Sequence, residues 1–133
     1  MRGDSFSVEL VRGVPVVTAP EEIDITNATG LRAGLLEAAG HPAFVVDMTR
    51  TRFCDSAGIQ ALVEAHKRAQ AAGGQVLLAM SGAAVLRIFS LTGVDRVIPS
   101  FTSLAEALRH TPAGTGPLPL ADLGQRAWPS MLR

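Results

Sequence analysis

The spacing of apolar positions changes several times along the chain. Residues 8–12, VELVR, and 14–19, PVVTAP, are two short strand-like runs around Gly13. They predict a hairpin or two adjacent edge strands. Pro15 has no amide proton to give a ladder and suits an edge better than a central strand. From Thr26 the period lengthens. Ala28, Leu31, Leu35 and Ala38 recur at helical spacing, and Gly40 and Pro42 stop the pattern. Asp24 or Thr26 is the expected cap of that helix. Residues 43–48, AFVVDM, and 75–80, QVLLAM, are nearly unbroken apolar runs. Such runs suit strands buried on both faces, as in parallel sheets.

Between those two runs lies a second helical pattern. Asp55 or Ser56 caps it, and Ile59, Leu62 and Val63 form the inward stripe. Gln60, Glu64, Lys67 and Ala71 face outward, Glu64 and Arg68 form an i,i+4 pair, and Gly73 and Gly74 end the helix. Val85, Ile88 and Phe89 mark a third helix, closed by Gly93. Residues 96–99, RVIP, are a brief fourth apolar run. Thr102 or Ser103 starts a last helix with Leu104, Ala107 and Leu108 as its stripe. After an opening pair of strands, strand and helix alternate. The prediction is a single α/β domain over residues 8–110, a mostly parallel sheet of four to five strands covered by about four helices. Residues 1–7 are expected to be a flexible N-terminus. Residues 111–133 carry four prolines and three glycines without a regular period and are expected to be a flexible tail holding Trp128.

Composition narrows the function. The 133 residues carry 12 Lys+Arg and 12 Asp+Glu, so no basic surplus attracts nucleic acid. No run of about 18 apolar residues suggests a membrane span, and no secretory signal is visible. One cysteine, Cys54, excludes an internal disulfide and points to the cytoplasm. It reads as a small buried apolar residue. His41, His66 and His110 are scattered, so no metal site is expected. With no Tyr and one Trp, a base-stacking surface is not expected either.

Chemistry concentrates in residues 53–59, FCDSAGI. Ser56 has three readings. As a nucleophile it would need the elbow G-x-S-x-G, but Cys54 stands where the first glycine belongs. His66 lies ten residues along the same helix, about 15 Å away, too far to act as its base. As a structural residue, Ser56 or Asp55 caps the helix and does no more. As a modification site, Ser56 places a phosphate at a helix start, where free amides and the dipole favour an anion. Small neighbours, Ala57 and Gly58, admit a kinase active site.

The segments EEIDITNATGLRAGLLEA, FVVDMTRTRFCDSAGIQALVEAHKRAQAAGGQVLLAM and VLRIFSLTGVDRVIPSFTSLAEAL resemble the STAS-domain anti-sigma factor antagonists of bacteria. The resemblance runs from about Val8 to Arg109, and VVDM…F-x-DSAG and LTGVD are its most specific parts. It implies a small α/β domain that binds an anti-sigma factor serine kinase and thereby frees a sigma factor. The kinase phosphorylates the serine of DS[SA]G, here Ser56, and the antagonist is released. A PP2C-type serine phosphatase restores it. ATP belongs to the kinase, so no cofactor and no catalytic residue are expected in this chain. Many relatives have a second serine where this chain has Ala57. Gly13-Val14-Pro15 also departs from the usual polar turn.

The helix that starts at Ser56 is expected to form the docking face, with Asp55, Ser56, Ala57 and Gly58 at its head and Gln60, Glu64 and Lys67 outward, and the resemblance implies that Asp24 joins this partner surface. Asp55 caps the helix and sets Ser56 geometry. A cap on the first helix is the alternative for Asp24, and a solvated face is the alternative for Gln60, Glu64 and Lys67. Asp47 is expected to hold loop amides. The chain is expected to be a monomer or weak dimer. The alternative function is a stand-alone STAS subunit of a lipid-transport ABC system, or a stress-signalling scaffold.

Overall fold

The computed structural model describes residues 6–111. The expected tail beyond Thr111, with Trp128, and most of the expected flexible N-terminus lie outside them. The chain opens with a hairpin, β1 (Ser7–Val11) and β2 (Val14–Thr18). The pairing of Val11 with Val14 leaves only Arg12 and Gly13 in the turn. Both have positive φ, 55° and 83°, which the twist of a two-residue hairpin requires. A strand pair β3 (Glu22–Ile23) and β5 (Phe53–Cys54), a central strand β4 (Ala43–Met48), β6 (Gln75–Met80) and β7 (Ser100–Phe101) follow in chain order of number.

The main sheet has the order β1-β2-β4-β6-β7, antiparallel only between β1 and β2. Pro15 therefore belongs to a strand with neighbours on both sides, not to an edge. Pairing between β2 and β4 runs from Val16 to Thr18, so Pro15 owes no ladder bond to β4. β3 and β5 form a separate two-stranded parallel sheet.

Alternation sends neighbouring side chains of each strand to opposite faces. Val17, Phe44, Val46, Val76 and Leu78 point into the larger core. That core is completed by α1 (Ala28–Ala38), α2 (Ser56–Ala71) and α3 (Ala83–Thr92). Val16, Val45, Leu77 and Ala79 face the other way, against Ala107 of α5 (Leu104–Arg109). Burial on both faces is why β4 and β6 read as continuous apolar runs.

Two local readings change. The run 96–99 is not a strand. Val94–Val97 is a short helix, α4, and β7 begins after Pro99. Pro99 contributes only its carbonyl to β6, accepting from the Leu78 amide at 2.9 Å. On α2 the face turned to the sheet is Gly58, Ala61, Leu62, Ala65 and Ala69, with Ile59 and Val63 only partly buried at its flank. Small residues face the sheet because the helix packs close to it. Asp47 holds the amide and hydroxyl of Thr49 at 3.0 and 2.7 Å, as expected.

Candidate functional site

The two-stranded sheet builds the site. Glu22 pairs with Phe53 and Ile23 with Cys54, and the Asp55 amide donates to the Ile23 carbonyl at 3.0 Å. Asp24 and Asp55 therefore leave the same ends of two paired strands. Ser56 opens α2 directly beyond.

Asp55 is the cap of α2. Its Oδ1 accepts from the amides of Ala57 at 2.9 Å and Gly58 at 3.3 Å. An extended backbone, φ −87° and ψ −175°, aims the carboxylate back over those amides. Ser56 is thus relieved of the capping role. Its side chain is exposed and makes no hydrogen bond among the described residues. Gly58 is required by packing. A Cβ there would lie 2.6 Å from Ile23 Cγ2 and 2.7 Å from Cys54 Sγ. Burial, and then the neighbouring Asp55 charge, pushes the Cys54 thiol up to about 12, so it serves as core.

Asp24 does not cap α1, and neither does Thr26. The cap position is Asn27, whose side chain makes no bond to the helix. Asp24 Oδ1 instead accepts from the hydroxyl and amide of Thr26. These bonds, the hydroxyl first, hold its carboxyl below the usual carboxylate range. Asn27 turns back, accepting from the Asp24 amide and donating to the Glu22 carbonyl, each at 2.9 Å. The loop ahead of α1 is stapled to β3, so Asp24 stays beside Asp55.

The remaining expected residues separate. Gln60 and Glu64 line a groove of about 270 Å³ between α1 and α2, with Ala28, Thr29, Arg32, Ala57 and Ala61. Glu64 does not make its main bond to Arg68. Arg32 of α1 takes it in a two-pronged ion pair, Nε to Oε1 at 2.8 Å and Nη2 to Oε2 at 2.7 Å. The hydrogen bond from Arg32 is the chief reason the Glu64 carboxyl falls below its ordinary value, and the Arg32 guanidinium is raised in turn. The Arg32 guanidinium meets the carboxylate with two parallel N–H groups, a geometry stronger than a single contact. Sequence spacing could not show this pair, because Arg32 and Glu64 lie 32 residues apart. Lys67 is exposed, eleven residues along α2, and about 16 Å from Ser56 along the axis. Ile25 and Phe53, which sequence reading passed over, are exposed large apolar residues on either strand of the small sheet or its extension.

His66 faces inward on α2. It is buried, and its Nδ1 is without a hydrogen-bond partner among the described residues. Desolvation lowers its pKa. His110 stacks on Phe101 with ring centroids 4.4 Å apart. Among the described residues no three His, Cys, Asp or Glu gather as a metal site, and no helix is long and apolar enough to cross a membrane.

Fold and site together define an α/β domain that exposes a serine at a capped helix start. A STAS domain family model matches residues 5–107, and the chain belongs to that family. The structure is similar to that of an anti-sigma factor antagonist from Mycobacterium paratuberculosis, with 29 % identity and a TM-score of 0.72 over 81 % of this chain and 95 % of that one. It is similar to the Bacillus cell fate determinant SpoIIAA in the phosphorylated form, with 19 % identity and a TM-score of 0.61 over 79 % and 97 %. A sulfate transporter family protein from Wolinella succinogenes shares the fold at 19 % identity and a TM-score of 0.65, over 77 % and 87 %.

Proposed function

We propose that this chain is an anti-sigma factor antagonist, a protein-binding module switched by phosphorylation of Ser56. The observation that carries this reading is the Ser56 hydroxyl, exposed and uncommitted at the head of a helix that Asp55 already caps. Its partner is an anti-sigma factor serine kinase, and binding withdraws that kinase from a sigma factor. The similarity to an antagonist at 29 % identity supports the assignment. In the modification, Ser56 Oγ attacks the γ-phosphorus of ATP held by the kinase. The bond to the bridging oxygen of ADP breaks, and the hydroxyl proton passes to a base of the kinase. This chain supplies an acceptor and a docking face, and it needs no cofactor of its own. A PP2C-type phosphatase returns the serine by hydrolysis.

The switch is electrostatic. Neutral Ser56 fits an interface against bound nucleotide. Phosphoserine, at about −1.5 to −2 charge, sets like charge against it and resists desolvation. A loss of about 3–4 kcal/mol weakens binding several hundred-fold. Helix amides tolerate the anion, so the domain stays folded. The test is phosphorylation with a purified anti-sigma kinase and ATP, mapped by mass spectrometry. One phosphate on Ser56 is expected, with Ser56→Ala binding persistently and Ser56→Glu binding poorly. Equal affinity of Ser56→Glu and wild type for the kinase would sink the switch.

The second reading, a STAS subunit of a transport assembly, draws on the likeness to the Wolinella protein. A permease and an ATPase as gene neighbours would favour it; a kinase or sigma factor would favour the first.

A further inference from the structure

Partner contact was expected along the outward stripe of α2, at Gln60, Glu64 and Lys67. The surface around Ser56 points elsewhere. Glu64 is engaged by Arg32 in both its oxygens, and Lys67 stands about three turns along α2 from Ser56, with no large apolar side chain exposed beside it on that stripe. Two large apolar side chains, by contrast, stand open on the small sheet or just past its end, close to Ser56. Ile25 is 77 % exposed and Phe53 is 44 % exposed. Phe53 is paired with Glu22 in β5, three residues before Ser56. Ile25 follows Asp24 where β3 ends, so Ile25 and Ser56 occupy matching positions just past the ends of two paired strands.

An unpaired aromatic and a β-branched side chain held on a stapled strand pair lose little entropy when a partner covers them. They match the apolar centre that protein interfaces use, and carboxylates surround them. Residues 21–25 and 52–56 carry Glu21, Glu22, Asp24 and Asp55 against the single cation Arg52, which pairs with Glu21 at 3.7 Å. A complementary surface is therefore an apolar cleft with a basic rim.

We propose that Ile25 and Phe53 are the apolar anchors by which the Ser56 kinase grips this domain, seating them in a cleft with a basic rim beside its nucleotide site. This rests on the reading of Ser56 as a phospho-acceptor. An enzyme that encloses the Ser56 hydroxyl must also cover what stands beside it, and these two are exposed large apolar side chains there. They set partner choice and affinity, while the α2 stripe contributes little.

The experiment uses the full chain and the purified anti-sigma kinase that transfers phosphate from ATP to Ser56. Affinity is measured by calorimetry for wild type, Ile25→Ala, Phe53→Ala, Lys67→Ala and Leu91→Ala. Leu91, also 77 % exposed, lies on α3 and is the matched control. Ile25→Ala and Phe53→Ala are each expected to weaken binding about tenfold or more, with Lys67→Ala and Leu91→Ala within about twofold. Circular dichroism melts identify any variant that is merely unfolded, and Ile25→Ser and Phe53→Ser then replace it. Binding by both anchor variants within twofold of wild type overturns the proposal while leaving Ser56 phosphorylation intact. Absence of phosphate transfer to wild-type Ser56 overturns the functional reading and this proposal together.

Discussion

Helices α1 and α2 lie side by side, yet their beginnings are built in opposite ways. At α2 the cap residue faces forward, and Asp55 holds the amides of Ala57 and Gly58. At α1 the cap residue faces backward, and Asn27 holds Asp24 and Glu22 of the preceding strand and loop. The first arrangement stabilises a helix and leaves the next side chain, Ser56, idle. The second fixes a loop and leaves the helix start to its packing, through Leu31 and Leu35. The difference teaches that a polar residue before a helix is not always spent on that helix. At this end of the domain, one start displays a hydroxyl and the other holds the surface beside it in place.

The largest test of this contrast is Gly58→Ala. Alanine is the better helix former by about 1 kcal/mol. Its Cβ would press on Ile23 and Cys54, both fully buried and unable to step aside. A net loss of about 1–3 kcal/mol is expected by chemical denaturation, as for other overpacked sites. A rise in melting temperature would show that α2 does not sit as close to β3 and β5 as described.

Next comes the cap itself. Asp55→Ala should cost about 1 kcal/mol, and Ser56→Ala should stay within about 0.5 kcal/mol of wild type. Denaturation midpoints of the two variants compare them directly. The reverse order would move the cap to Ser56 and remove the idle hydroxyl.

The smallest effect is acid sensitivity from His66 on α2. Its unfolded imidazole gains a proton near 6.5, while the buried ring, lowered by desolvation, resists protonation. The folded state then binds fewer protons, so stability is full above that pH and declines as pH falls below it. His66→Leu should flatten the decline between wild type and variant in parallel melts. An unchanged slope would assign the acid sensitivity to the carboxylates of Asp24 and Glu64, whose lowered pKa values act in the same direction at lower pH.

Much of this was legible from residue order. AFVVDM and QVLLAM are β4 and β6 as written, because strands covered on both faces have no polar alternation to confuse. Ser103 caps α5 and Gly93 ends α3 in a left-handed turn, both by local chemistry. Asp55 and Ser56 were left as alternative caps, and the backbone at Asp55 chose between them. The partner of Glu64 was misread, since i,i+4 spacing names Arg68 and says nothing of Arg32 on another helix. The burial of His66 left no mark in local spacing either, because it depends on what packs over α2.

The chain's own order of residues determined the alternation of strands and helices, the hairpin at Gly13 and the serine that heads α2. These depend on neighbours within a few residues, whose hydrogen bonds and periodicity are local. Only the folded arrangement decided that Asp24 stands beside Asp55, that Arg32 takes Glu64, and that Ile25 and Phe53 lie open next to Ser56. Such relations come from strand register and helix packing, which join residues about thirty positions apart and leave no mark in local spacing.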